Sequence, residues 1–410
     1  MVGRILYRDA ALADATGPEL KTGVSVLVED GRVAWIRPTE NELAENLGAK
    51  VVDAGGATIV PGLVDGHSHV TLPGGSHWIA RGSDPPERLL EEAELNGDLL
   101  NHAGVRWARD VGSVTAADPH DGRQRALTLG LRDRWRHRLD RPYIRAAGTW
   151  VTRTGSLPAG LSVSADDPDT MFALAQRQLD DGADLIKLYL DGPKPDEAPW
   201  SIEEVRRVVE MAHTRKVKVT AHSSTLVGAR VGVGAGVDSI EHGFTLDDEV
   251  ARRMATQGTF LVTTLAVFRS WATFARTTTI PGFVSDEKRA AISRRLEAAV
   301  ESVHCAQRAG VRIAAGTDFG GGSLRANQLA WEVESLVDAG LAPWEALAAV
   351  TRRGGELLGE PEAGVIREGG PADFFLVHGD PLSDPSALWR VWRVAWGAEV
   401  GSVPTPMSAR

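Results

Sequence analysis

TIVPGLVDGHSHV, residues 58–70, is the stretch that decides the fold. An apolar run of strand length, TIVPGLV, leads directly into Asp65 and then into two histidines, His67 and His69, two positions apart. In extended backbone, residues i and i+2 project to the same side, so both imidazoles can hold one metal ion. Moving toward the C-terminus, runs of the same kind recur as VRWARDV (105–111), YIRAAG (143–148), DLIKLYL (184–190), VKVTAH (217–222), VDSIEH (237–242), FLVTTL (260–265) and RIAAGTD (312–318). With the first, that makes eight. Helical periodicity separates them: SIEEVRRVVEMAHTRK follows an N-cap Ser201 with Glu204 three residues on, and SDEKRAAISRRLEAAVESVHCAQRAG ends at Gly310. Eight strands with helical returns predict an α/β chain folded as a (β/α)8 TIM barrel over residues 58–358, with its chemistry at the C-terminal ends of the strands.

The candidate ligands fall at those ends. His67 and His69 follow the first strand, Lys187 lies in the fourth, His222 ends the fifth, His242 the sixth and Asp318 the eighth. Any one of them alone has an ordinary explanation, such as a strand-end histidine, a snorkelling lysine or a helix-capping Asp. Their joint placement does not, because a closed barrel brings strand ends more than two hundred residues apart to one mouth.

Outward from the barrel, both ends of the chain are strand-rich. Residues 1–57 hold GRILYRDA, GVSVLVEDGRVAWIRP with a hairpin turn at Glu29-Asp30-Gly31, and AKVVDAGG; residues 359–410 hold GVIREGGPADFFLVHGD and VWRVAWGAEVG. Neither end closes a core alone, so one small β-sandwich formed from both termini is expected.

Composition narrows the function. The 410 residues are 43% hydrophobic and 24% charged, enough for a large core, and 45 basic against 55 acidic side chains leave a net charge of −10. With no basic block, nucleic acid and anionic membrane are not expected partners. The single cysteine, Cys305, excludes an internal disulfide framework and fits a reducing compartment. The opening MVGRILYRDA meets Arg and Asp before an apolar stretch of signal length develops, so a cytoplasmic location is expected; the expected partners are a small-molecule substrate and further copies of the chain in a homo-oligomer.

The strings VPGLVDGHSHV (60–70), RDVGS (109–113), GADLIKLYLDG (182–192), VTAHSS (219–224), SIEHG (239–243), GTDFG (316–320) and GGPADFFLVHGDPL (369–382) together resemble the metal-dependent amidohydrolase superfamily. The likeness is greatest to its imidazolonepropionase-like and prolidase-like branch, which includes Xaa-Pro and Xaa-Arg dipeptidases. The resemblance implies two divalent metal ions, usually zinc. His67, His69 and Asp318 would bind the more buried ion, His222 and His242 the more exposed one, and Lys187 would bridge both as a carbamate formed with carbon dioxide. A bridging hydroxide would attack an amide, peptide or cyclic amide, and Asp318 would take its proton and pass it to the leaving amine. An ammonium at Lys187 is disfavoured beside two dications, whereas a carbamate is an anion with two oxygens. The alternatives are a mononuclear enzyme like imidazolonepropionase or a deaminase, a lactone or phosphoester hydrolase, and a non-catalytic barrel homologue.

One departure stands out. Members of the branch commonly carry Thr-Gly-Gly-His-Gly after the third strand, where this chain has Thr154-Gly155-Ser156-Leu157-Pro158-Ala159-Gly160 and no histidine. Tyr189 is then the candidate for polarising the substrate carbonyl. Trp78, Trp150 and Trp271 are candidates for an aromatic substrate wall, and Arg269 with Arg276 for a carboxylate clamp.

Overall fold

The computed structural model describes residues 3–41, 48–158, 160–192, 194, 196–397 and 399–400. Five strands open the chain: β1 (Arg4–Leu12), β2 (Lys21–Glu29), β3 (Arg32–Pro38), β4 (Lys50–Asp53) and β5 (Ala57–Pro61). Then come β6 (Leu63–Ser68), β7 (Val105–Asp110), β8 (Thr115–Ala117), β9 (Gln124–Ala126), β10 (Tyr143–Ala146), β11 (Trp150–Arg153) and β12 (Ser162–Ala165). The series continues with β13 (Leu185–Tyr189), β14 (Lys218–Ser223), β15 (Ser239–His242), β16 (Phe260–Thr263) and β17 (Ile313–Ala315). It closes with β18 (Asp373–His378), β19 (Val391–Trp396) and β20 (Glu399–Val400).

Strands from both ends share one sheet in the order β20-β19-β18-β5-β1-β2-β3, with β4 against β1. Antiparallel pairing of Phe375 with Val60 and of Leu376 with Ile59 ties the C-terminal segment to the N-terminal one. The β2–β3 hairpin turns through Asp30 and Gly31, both with positive φ (54° and 76°), the geometry of the two-residue turns that match strand twist. Tyr7, Val26, Ile59, Phe374 and Leu376 fill this sheet's own core.

The run TIVPGLV does not form one strand. Its first half, β5, belongs to the terminal sheet, and the parallel strands begin only at β6, so the terminal unit reaches Pro61 rather than stopping at 57. From β6 the pairing is parallel: β6–β7–β10, then β11–β13–β14–β15–β16–β17. The two sets join where Asp184 N–H donates to the Ala146 carbonyl at 2.8 Å. The pairing returns to β6 through a parallel bridge between Ser68 and Phe319 and a 2.7 Å bond from Asp318 N–H to the His67 carbonyl. Gly316 allows this return: a Cβ there would lie 2.2 Å from the His67 nitrogen.

Amphipathic helices cover the outside. Ile202–Thr214 buries Val205, Val208, Val209 and Ala212, the i, i+3, i+4, i+7 face. It starts with a reciprocal capping box between Ser201 and Glu204. The helix Asp286–Ala309 begins at the Ser285 cap and stops at Gly310, whose φ of 74° is left-handed. Among the described residues no helix is long and apolar enough to cross a membrane.

Candidate active site

At the C-terminal ends of the parallel strands, His67, His69 and Asp318 come together, their nearest ligand atoms all within 4.8 Å of one another. His69 Nε2 lies 3.2 Å and His67 Nε2 3.5 Å from Asp318 Oδ1. The His242 ring sits 4.6 Å from that of His67 and 4.6 Å from that of His222, centre to centre. One cluster therefore holds all four histidines and Asp318. His242 and Asp318 both sit at positive φ, 69° and 55°, a backbone conformation costly for side chains with a Cβ and typical of positions that the surrounding fold holds under strain.

Each of the three buried histidines has its Nδ1 engaged. His67 Nδ1 is 2.6 Å from Glu241 Oε2, His69 Nδ1 is 2.8 Å from the Gly112 carbonyl oxygen, and His242 Nδ1 is 2.8 Å from Thr264 Oγ1. Acceptors at Glu241 and Gly112 leave Nε2 of His67 and His69 bearing the lone pair, the form that binds a metal. Burial pushes His67 down to about 4, with the Lys187 charge acting in the same direction, and pushes His242 well below its usual value. Neutral imidazoles follow. Asp318 is held below the usual carboxylate value: burial opposes its charge, but its neighbours His69, His67 and Lys187 together outweigh burial.

Lys187, in β13, is 1% exposed, and its Nζ has no hydrogen-bond partner among the described residues. An ammonium buried without a partner is expensive. Burial, reinforced by Arg109, lowers its pKa to about 8 against the pull of Glu241. A neutral amine is the form that reacts with carbon dioxide. A metal with nitrogen and oxygen donors fits this set of neutral imidazoles, an ionised carboxylate and an orphaned lysine. Gly321 keeps the space open, since a Cβ there would lie 2.5 Å from His69 Nε2 and 2.7 Å from Asp318 Oδ1.

Tyr189 stacks on His222 at 4.0 Å, and its phenol is pushed up to about 12 by burial and by the charges of Asp191 and Asp318, so it keeps its proton. Sequence reasoning missed several residues that hold this arrangement. Buried Glu241 accepts from Arg109 at 3.0 Å and from Ser239 at 2.9 Å as well as from Thr220. Asp65 accepts from Thr317 N–H and Oγ1 at 3.0 and 2.6 Å, tying β6 to the turn that carries Asp318. Asp191 lies 3.0 Å from His222 Nε2 and takes further bonds from Ser224 and Thr225. Asp65 and Glu241 stand inside the quoted strings VDGHSH and SIEHG, so acids flanking strand-end histidines were the available signal.

Over the histidines opens a cavity of about 550 Å3, lined by Trp78, Trp150, Tyr189, Phe244, Phe268 and Trp271. Leu157 and Pro158 line it too, from the segment where the branch's histidine is missing; Ala159 lies outside the described residues. Trp150 stacks on the His69 ring at 4.7 Å. Arg269 and Arg276 do not reach the cavity. Arg269 is turned to Asp338, 2.6 Å away, and Arg276 is exposed on the same helix. The cationic side chain that does line it is Arg295, from the helix Asp286–Ala309, with no ion pair among the described residues.

The amidohydrolase family model matches residues 58–395. The chain belongs to the amidohydrolase family. Its relatives include a Mycobacterium tuberculosis protein described as uncharacterised, 31% identical over 377 residues, 90% of this chain and 89% of that one. Ochratoxinase of Aspergillus niger is 30% identical over 260 residues, 60% of this chain and 52% of that one. In fold, it is similar to the crystal structure of a Xaa-Pro dipeptidase with methionine in its active site: TM-score 0.82, 24% identity, 97% and 99% of the two chains covered. The resemblance read from the sequence to the superfamily and its imidazolonepropionase-like and prolidase-like branch stands.

Proposed function

We propose that the chain is a metal-dependent hydrolase of amide bonds, built on a (β/α)8 barrel with a β-sandwich from both termini. The observation that carries this reading is Lys187: a buried amine with no hydrogen-bond partner among the described residues, set among four histidines and an ionised Asp318. His67, His69 and Asp318 would hold one divalent cation and His222 with His242 a second, zinc in this reading. Carbon dioxide adding to Lys187 Nζ, with loss of a proton, would give the carbamate shared between them. Two bound cations supply Lewis-acid polarisation of the carbonyl and lower the pKa of water toward neutrality.

The chain's own groups do the rest. Asp318, ionised, accepts a proton at a carboxylate oxygen and returns it to the departing amine. Tyr189, protonated, donates its hydroxyl hydrogen to the substrate carbonyl oxygen in place of the missing histidine. The tryptophan and phenylalanine walls exclude water and take a bulky apolar group beside the scissile bond. Arg295 at the mouth meets a substrate carboxylate. Ochratoxinase and a Xaa-Pro dipeptidase among the similar proteins support a carbon–nitrogen bond as the target.

The test is a panel of aromatic N-acyl amino acids, their C-terminal amides, dipeptides and lactams, assayed with zinc-loaded enzyme. N-acyl amino acids should be cleaved at least about tenfold faster, as kcat/KM, than their amides, a difference worth about 1.4 kcal/mol. Arg295→Gln should erase that preference mainly through KM. No turnover of any carbon–nitrogen substrate by fully metallated protein would overturn the reading.

A further inference from the structure

At the opposite, N-terminal ends of the parallel strands is a second cavity, of about 300 Å3, reached by the first residues of four neighbouring strands: Leu185, Lys218, Ser239 and Phe260. Its charge runs against that of the molecule. The chain carries a net −10, yet five cations, Arg109, Arg145, Lys216, Lys218 and Arg312, face three carboxylates here.

Those carboxylates are already engaged by other groups. Asp184 is 2.8 Å from Arg132 and accepts from Ala146 N–H, Asp238 accepts from His213 and from Val219 N–H, and Glu356 lies 3.7 Å from Arg352. Two of the cations are paired as well, Arg109 with Glu241 and Arg145 with Glu360. The other three have no carboxylate partner among the described residues. Lys218 donates to the carbonyls of Glu356 and Leu357 at 3.1 and 2.6 Å, and Arg312 donates to Gly258 and lies over the Phe260 ring at 4.1 Å. The Lys216 side chain, at the exposed lip, has no hydrogen bond or ion pair among the described residues. Lys218 is also held below the ordinary lysine value by burial and by the like charges of Arg109 and Arg312, against the pull of Asp238 and Glu360.

We infer that this cavity is a binding site for a small oxyanion of the phosphate class, held by Lys216, Lys218 and Arg312. Three cations converging on a recess with surplus N–H donors are the arrangement that binds such an anion, and the recess has room for more than the bare ion. An anion here would offset like-charge repulsion among Lys218, Arg109 and Arg312 that Asp238 and Glu360 offset only in part.

The experiment is calorimetric titration of the metal-loaded protein with inorganic phosphate at constant ionic strength, and separately with glycerol phosphate. Arg312→Gln and Lys216→Glu should each weaken phosphate at least about tenfold while metal content and amide hydrolysis stay at the wild-type level. Tighter binding of glycerol phosphate than of phosphate identifies the occupant as an organic phosphate, and the reverse order identifies it as the free ion. If the affinity is unchanged in both variants, or binding vanishes only when the metals are removed, phosphate sits at the metal cluster and the inference is wrong. Lys216 is exposed, so its variant keeps the test open should Arg312→Gln fail to fold.

Discussion

Glu241 is a carboxylate with no access to solvent, bonded to four side chains drawn from β6, β7, β14 and β15, and one of them is the candidate ligand His67. Replacing it by Gln puts an amide donor among donors and frees the His67 Nδ1 proton from its acceptor. Metal affinity should fall about 10- to 100-fold, measured by chelator competition, with the fold kept; undiminished affinity would mean that His67 is oriented by something else. Asp318→Asn keeps size and one oxygen but cannot take a proton, so kcat should drop about 10² to 10⁴ while metal is retained. Near-normal kcat in that variant would remove Asp318 from the proton transfer. The two residues differ in how far the sequence exposes them. Asp318 and the histidines are legible because strand ends are legible. Glu241 is not, because a buried acid has no local signature and its partners lie 132 and 174 positions away, at Arg109 and His67.

Helices Leu329–Asp338 and Ala266–Thr277 meet at another buried acid, Glu332, which accepts from Ala266 N–H at 2.7 Å. It thereby anchors the element that presents Val267, Phe268 and Trp271 to the cavity. Burial raises Glu332 from 4.5 to about 7, outweighing the bond from Ala266 N–H. For an acid raised on folding, the stabilising contribution is complete below the unfolded pKa and is lost as pH climbs through the folded one. Urea midpoints of the wild type should therefore decline from about pH 4.5 to above pH 7 relative to Glu332→Gln, which keeps one acceptor oxygen and has nothing to ionise. Parallel pH profiles for the two would show that Glu332 does not titrate there. Element boundaries were legible where side chains set them, as at the Ser201–Glu204 box and Gly310. In TIVPGLV they were not: apolar runs record burial, not the sheet in which a strand is buried, so β5 and β6 read as one. Likewise the periodicity of Asp286–Ala309 marks its core-facing side but not which exposed residue overlooks a cavity, and Arg295 went unseen while Arg269 was favoured.

In the whole molecule, two parallel sets of strands bring six side chains to a single cluster, and that cluster also helps join the sets. Asp318 N–H bonds to the His67 carbonyl, and Asp65 binds the Thr317 turn. Metal bound there should act on stability as well as activity. At a free metal concentration of about 100 Kd, the folded state gains about 2.7 kcal/mol. Chelation should lower Tm and abolish hydrolysis together, and zinc should restore both; loss of activity with an unchanged Tm would separate the metal from the fold. The most direct test of the central claim, that Lys187 completes a two-metal centre, is elemental analysis of wild type and Lys187→Ala beside their turnover. The account predicts two metal equivalents per chain in the wild type, and fewer in Lys187→Ala with most activity lost and part of it returned by short carboxylic acids. A wild type saturating at one equivalent, or a Lys187→Ala variant with two metals and undiminished kcat, would contradict it.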